Sequence, residues 1–185
     1  MTELRFTILG CGSSGGVPRI GNDWGDCDPD NPKNRRTRAS IFVEHGSTKL
    51  LVDTSPDLRN QLLDNDFSNF DAVLYTHGHA DHSHGIDDVR TLFRFHGRRY
   101  PVYASAETFE SLKTRFSYAF ESESEWYEPF FEAHEAVGPF RIGDIDVVPF
   151  AQDHGGLTST GYRFGSVAYS TDLIGLDDAA FDVLD

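Results

Sequence analysis

THGHADHSHG, residues 76–85, places four of the chain's eight histidines within ten residues, with an aspartate among them. Each imidazole carries two polar nitrogens that need partners, so a histidine face turned into an apolar core is costly. A bound cation can satisfy several imidazoles at one point. His77 and His79 lie two apart, directly after the apolar run DAVLY (71–75). On extended backbone that spacing turns both rings to one side. Gly78 and Ala80 are small and let the loop turn tightly, so Asp81 and His82 can aim at a second point beside the first. Neutral imidazole suits zinc, and a carboxylate can ligate or bridge.

The segments around this loop read as alternating strands and helices. LRFTIL (4–9) is rich in β-formers, and GCGSSGG (10–16) after it is a glycine-rich loop. The polar stretch 22–38 suits neither helix nor sheet. ASIFVE and KLLVD flank HGST as a hairpin. SPDLRNQLLDN (55–65), with a proline near its start, reads as a short helix, and DAVLY as a buried strand. IDDVRTLFRF (86–95) has acids in its first turn, where they favour the helix dipole. PVYA is a strand, and residues 105–116 form a helix that Ser105 can cap. ESESEWYE (121–128) reads as a solvated connector. FRIGDIDVVPF (140–150) suggests two strands about a Gly-Asp turn, residues 160–172 a hairpin ending in Asp172, and LDDAAFDVLD a short helix at the end. The expectation is a mixed sheet with helices on its faces.

The chain has 185 residues, enough for one domain with its own core. It carries 30 acidic and 16 basic residues, a net charge of −14, and residues 101–185 hold 16 of the acids but only 4 of the bases. Such a surface disfavours nucleic acid and anionic membranes. No secretion signal or membrane-spanning apolar run is read, and the only cysteines are Cys11 and Cys27. A reducing, cytoplasmic location is expected, with both cysteines as small buried hydrophobes or unpaired thiols.

The pattern His-x-His-x-Asp-His at 77–82 resembles that of the metallo-β-lactamase superfamily of metal-dependent hydrolases. Asp53 at a strand end, His154 in AQDHGG and Asp172 in YSTD match its further motifs in order. Alone, His154 would read as a polar loop residue and Asp172 as a cap. The resemblance implies an αββα four-layer sandwich with mixed α/β content. It implies two divalent ions, zinc or else manganese. His77, His79 and His154 would hold the first and Asp81 and His82 the second. Asp172 would bridge them, Asp53 would orient the loop from behind, and Asp81 would also be the candidate base.

LGCGSSGGVPR, GNDWGDCDPDNPKNRR and GIDDVR are similar to the phosphodiesterase branch, which includes ribonuclease Z and the cyclic phosphate phosphodiesterases. An aspartate at 172, where zinc β-lactamases commonly have cysteine, agrees with a phosphodiester. The expected substrate is a small cyclic ribose phosphate or nucleotide-like diester. No membrane or nucleic-acid partner is expected, and a homodimer is allowed. Arg35, Arg36 and Arg38 either gather phosphate or form a solvated basic loop. The glycine-rich loop either cradles phosphate through backbone N–H groups or simply permits a tight turn. With only Cys27 in the following loop, no structural zinc is expected there.

A late histidine ligand and a late catalytic histidine of such enzymes have no counterpart before residue 185. Residues 1–185 are therefore expected to be one metallo-hydrolase domain lacking its C-terminal part. His84, His96 and His134 read as surface or loop residues. The rival functions are a thioesterase or ribonuclease on the same fold, and a metal-binding protein without turnover.

Overall fold

The computed structural model describes residues 3–122 and 127–185; residues 123–126, within the expected connector, lie outside it. Strand β1 (Arg5–Gly10) pairs antiparallel with β2 (Ser40–His45), and β2 with β3 (Thr48–Val52). The chain then passes through helix α1 (Leu58–Asp64) to β4 (Ala72–Leu74), which pairs parallel with β3. Helices α2 (Ala80–Ser83) and α3 (Ile86–His96) lead to β5 (Tyr100–Ala104), and α4 (Ala106–Phe120) leads to β6 (Phe131–Glu135), both strands parallel to their neighbours. These six strands form one sheet in sequence order.

Strands β7 (Phe140–Ile142), β8 (Ile145–Asp153), β9 (Thr158–Phe164) and β10 (Val167–Tyr169) form a second, antiparallel sheet in the order β10-β9-β8-β7. The short helix α5 (Asp178–Leu184) packs against β8. Two sheets with helices packed on them agree with the αββα sandwich that the resemblance implies, whereas the strand pattern alone suggested only a mixed sheet. Alternation along a strand assigns its faces but says nothing about which strands share a sheet, because both sheets bury one side equally well.

That alternation sorts the core. Ile41, Val43, Leu50, Val52, Ala72 and Leu74 face the second sheet and meet Ile145, Val147, Tyr162 and Phe164. Their neighbours Phe42, Leu51 and Val73 point the other way, onto Leu58, Leu62, Ile86, Val89 and Leu112 of the helices. Strands buried on both faces read as continuous apolar runs, and this is why 72–75 (AVLY) and 50–52 (LLV) carry no charged position. β6 escapes sequence reading because FEAHE is largely polar, with only Phe131 buried, and lies at the sheet edge.

Two devices fix the loops around the site. The glycine-rich loop packs on residues 36–38, with Gly12 N–H donating to the Thr37 carbonyl at 2.7 Å and Val17 N–H to the Arg36 carbonyl at 2.9 Å. A Cβ at Gly12 would lie 2.9 Å from the Arg36 and Thr37 carbonyl oxygens, so glycine serves close approach of two backbone segments here. Ser105 caps α4 as expected, accepting from Thr108 N–H at 3.2 Å. Cys11 and Cys27 are both free and exposed, so they are thiols and not core residues. No described helix is long and apolar enough to cross a membrane.

Phe42 is fully buried and stacks on Phe67 at a centroid distance of 4.0 Å. Phe42→Ala is expected to cost about 3–5 kcal/mol of folding stability, measured by urea denaturation. A cost under about 1 kcal/mol would show that the layer between first sheet and helices is not tightly packed.

Candidate metal centre

The centre is assembled at the ends of strands from both sheets. Asp53 directly follows β3, with φ of 63° and a fully buried side chain. Its Oδ1 accepts from Thr76 N–H at 2.8 Å, and its Oδ2 from Thr76 Oγ1–H at 2.8 Å and from His82 Nδ1–H at 2.7 Å. Left-handed backbone is tolerated by aspartate better than by most residues, and this position aims the carboxylate back beneath the loop.

Thr76 relays the order to His77. Its hydroxyl donates to Asp53 and accepts from His77 Nδ1–H at 3.0 Å. That pattern assigns the His77 tautomer and leaves Nε2 with a free lone pair. His77 Nε2 is buried and has no hydrogen-bond partner. Burial, reinforced by neighbouring His82 and His79, pushes the His77 imidazole down to about 3. A neutral, buried, unpartnered imidazole nitrogen is a metal ligand in waiting.

The remaining expected residues gather around it. Ring centroids of His77, His79 and His154 lie 4.7 to 5.2 Å apart, and His154 Nε2 is 3.4 Å from His79 Nδ1. Asp172 also has positive φ, 51°, and its Oδ2 lies 3.0 Å from His82 Nε2, 3.6 Å from His77 Nε2 and 4.0 Å from His154 Nε2. Two donor groups result: His77, His79 and His154, and His77, His82 and Asp172, each with its ligand atoms within 4.8 Å of one another. Three imidazoles and a shared carboxylate fit a divalent cation.

Asp81 lies at the margin. Its Oδ2 is 3.6 Å from His82 Nε2, and it belongs to neither group. The reason is local: residues 80–83 are the helix α2 and not an extended loop, so Asp81 is carried in its first turn while His79 caps it. His84 is turned away, edge-on to Phe116 at 5.5 Å. His96 faces the Ser68 carbonyl and His134 stacks on Tyr103, so neither approaches the centre. Thr76 is the participant that sequence reading missed. A threonine before a histidine carries no signal until Asp53 is seen beneath it.

Arg38 is held through its Nε, 3.0 Å from Asp57 Oδ2. With Ser14, Gly15, Arg19 and Ile20 it lines a cavity of about 520 Å³ that reaches Asp81. Arg35 instead lies over the Trp24 ring.

Two sheets flanked by helices, with histidine and aspartate donors gathered at their strand ends, define the class of fold. Residues 48–184 match the family described as beta-lactamase superfamily domain, and the chain belongs to that family. It is 38% identical to a diphosphatase from the PhnP family whose crystal structure superposes with a TM-score of 0.86, covering 98% of this chain and 70% of that one. It is 35% identical to an octanoyltransferase of Porphyromonas gingivalis across 92% of this chain and 35% of that protein. A ribonuclease Z of Methanopyrus kandleri is 30% identical across 67% of this chain and 43% of its own length. The chain thus spans less than half of these curated relatives.

Charge on the centre sets the pH response. Burial opposes a charge on His82, but the Asp53 and Asp172 carboxylates outweigh it and push the imidazole up to about 10. The hydrogen bond from His82 holds the Asp172 carboxyl below the usual carboxylate range, against partial burial. Raised in the fold, His82 contributes stability that is complete below its unfolded value of 6.5 and is lost as pH rises toward about 10. His77, depressed in the fold, destabilises progressively as pH falls from 6.5 toward about 3. Metal-free protein should therefore melt highest near pH 6.5 and lose several degrees on either side; Asp53→Asn should flatten only the alkaline limb. Calorimetry in chelator measures this, and a wild-type melting temperature still climbing through about pH 9 would contradict it.

Proposed function

We propose that residues 1–185 act as a metallo-hydrolase unit that cleaves small phosphodiesters with two divalent ions, zinc by preference and manganese as the alternative. The observation that carries this reading is Asp172 Oδ2, which lies within reach of both donor groups. A carboxylate there gives the site an all-nitrogen-and-oxygen donor set, suited to hard phosphate oxygens. The similarity to a PhnP-family diphosphatase and to a ribonuclease Z points to phosphorus–oxygen bonds. The two unpaired thiols agree with a reducing compartment.

His77, His79 and His154 would hold the first ion, and His82 with Asp81 the second, with Asp172 between. When bound, such ions supply Lewis acidity and make water acidic enough to attack at neutral pH. The chain's own residues do the rest. Asp53 fixes the His82 ring by its 2.7 Å bond and, through Thr76, the His77 ring. Asp81, which lines the cavity and lies 3.6 Å from His82 Nε2, would accept a proton from the attacking water. Arg38, braced by Asp57, and Arg19 offer guanidinium groups to the anionic substrate.

The second ion has fewer imidazoles than the first, so zinc titration should show one tight and one weaker step. His79→Ala should abolish the tight step and lower turnover by at least ~100-fold, about 2.7 kcal/mol of transition-state stabilisation. The substrate is decided by a panel of bis-p-nitrophenyl phosphate, a ribose cyclic phosphate, a dinucleoside diphosphate, precursor transfer RNA, an acyl thioester and a β-lactam. Turnover of the small phosphodiesters supports the reading. Turnover of only the thioester or the lactam refutes it, and turnover of only the RNA would move the substrate class to nucleic acid.

A further inference from the structure

Helix α4 touches the metal loop at Gly78, where Asp53 makes no hydrogen bond. Arg115 donates from its terminal nitrogen to the Gly78 carbonyl and, at 2.9 Å, to Ser111 Oγ, while its Nε donates to the Ser111 carbonyl at 3.2 Å. Ser111 and Arg115 are four apart and share one helix face. That face presses so closely on the loop that a Cβ at Gly78 would lie 2.8 Å from Ser111 Cβ and 2.9 Å from the Arg115 guanidinium. Gly78 has no positive φ, so what fixes glycine here is space and not backbone conformation. Ser83 Oγ–H also donates to the Gly78 carbonyl, at 3.3 Å, and to that of His79, at 2.8 Å.

The helix is firmly seated. Phe109, Leu112, Ala119 and Phe120 are in the core, and Ser105 caps its start. Its backbone breaks at Phe116, just beyond Arg115, and the Phe116 ring meets His84 at the end of α2. Both sides of the loop are thereby braced against α4.

We propose that Arg115 is a positioning residue for metal binding: by holding the Gly78 carbonyl it fixes the peptide that joins Gly78 to His79, and so the approach of the His79 ring to the first ion. A charge-assisted bond to a carbonyl is stronger than a neutral one and sets the plane of that peptide. Asp53 and Thr76 orient His77 and His82 from beneath, but among the described residues neither touches His79. Arg115 fills that gap. Its effect reaches the metal only through the loop, so it is not itself a ligand or a catalytic residue.

This inference rests on the metal reading above. The test measures zinc affinity by competition with a chromophoric chelator, alongside melting of the metal-free protein, for wild type, Arg115→Met and Arg115→Lys in the full chain. Arg115→Met should weaken the tight zinc step by ~10–100-fold, the effect of losing a partner behind a ligand. Its metal-free melting temperature should move by less than about 2 °C, since an exposed side chain carries little of the fold's stability. Arg115→Lys should recover most of the affinity, because an ammonium can still donate to the carbonyl. Affinity in Arg115→Met within twofold of wild type overturns the proposal. So does a loss matched by a large drop in metal-free melting, which would make Arg115 a structural residue. A wild type that takes up no zinc removes the metal reading itself, and this inference with it.

Discussion

The buried carboxylate of Asp53 is the constraint on which the centre depends. An ionised group with no exposure is tolerated only when it is fully hydrogen-bonded, and Asp53 spends its oxygens on Thr76 N–H, Thr76 Oγ1–H and His82 Nδ1–H. Each of these bonds also sets a direction. The first fixes where the chain leaves β4, the second fixes the His77 tautomer through Thr76, and the third turns His82 Nε2 toward Asp172. One carboxylate thus orders two imidazoles on different secondary elements. A carboxylate behind a histidine also raises the basicity of the nitrogen facing outward, which strengthens it as a ligand.

The centre also ties the two sheets together. Asp53 and His77 come from the ends of β3 and β4 in the first sheet, whereas His154 and Asp172 follow β8 and β10 in the second. Most of the sheet-to-sheet contact is apolar and non-directional, through Leu50, Val52, Leu74, Val147 and Tyr162, with polar bonds from Asp144 to Thr48 and His45 at the far hairpin. Two hydrogen bonds set its register near the centre. Thr160 N–H donates to the Thr76 carbonyl at 2.7 Å, and Tyr162 O–H donates to the Tyr75 carbonyl at 2.8 Å. These bonds lie immediately before His77, so the loop is located relative to the second sheet before any ligand is considered. Apolar packing provides the attraction, and the polar bonds select the one alignment that brings His154 to His79.

The sequence made the elements and the histidine loop legible because both are written in local spacing. Alternating or continuous apolar runs marked β1 to β5, and Ser105 with its following residues marked the start of α4. The loop was legible because His77, His79 and His82 are neighbours in the chain. Asp172 and His154 were different. Each reads alone as an ordinary loop residue, and only likeness to a family tied them to the site. What joins them is a pairing of sheets across ninety or so residues of chain, which local propensity does not encode. For the same reason the division into two sheets came only from that likeness, and the edge strand β6 and the role of Thr76 were out of reach. The short helix α2 was hidden because a four-residue helix needs no amphipathic period.

Electrostatics join the acidic surface to the proposed substrate. The chain carries −14 overall, and that field repels long polyanions approaching its face. At the centre the balance reverses on the proposed reading. Two divalent ions bring more positive charge than the carboxylates of Asp53, Asp81 and Asp172 together, and the low-dielectric walls of the two sheets confine that excess to the mouth. Arg38 and Arg19 line the cavity toward the glycine-rich loop, each braced by an aspartate, Asp57 and Asp23. The attraction is therefore short-ranged and set within a surface of opposite sign. On the proposed reading, a small diester lies as a whole within range of these cations. A preference for a small anion would then follow from where these cations sit, with no dedicated steric gate required.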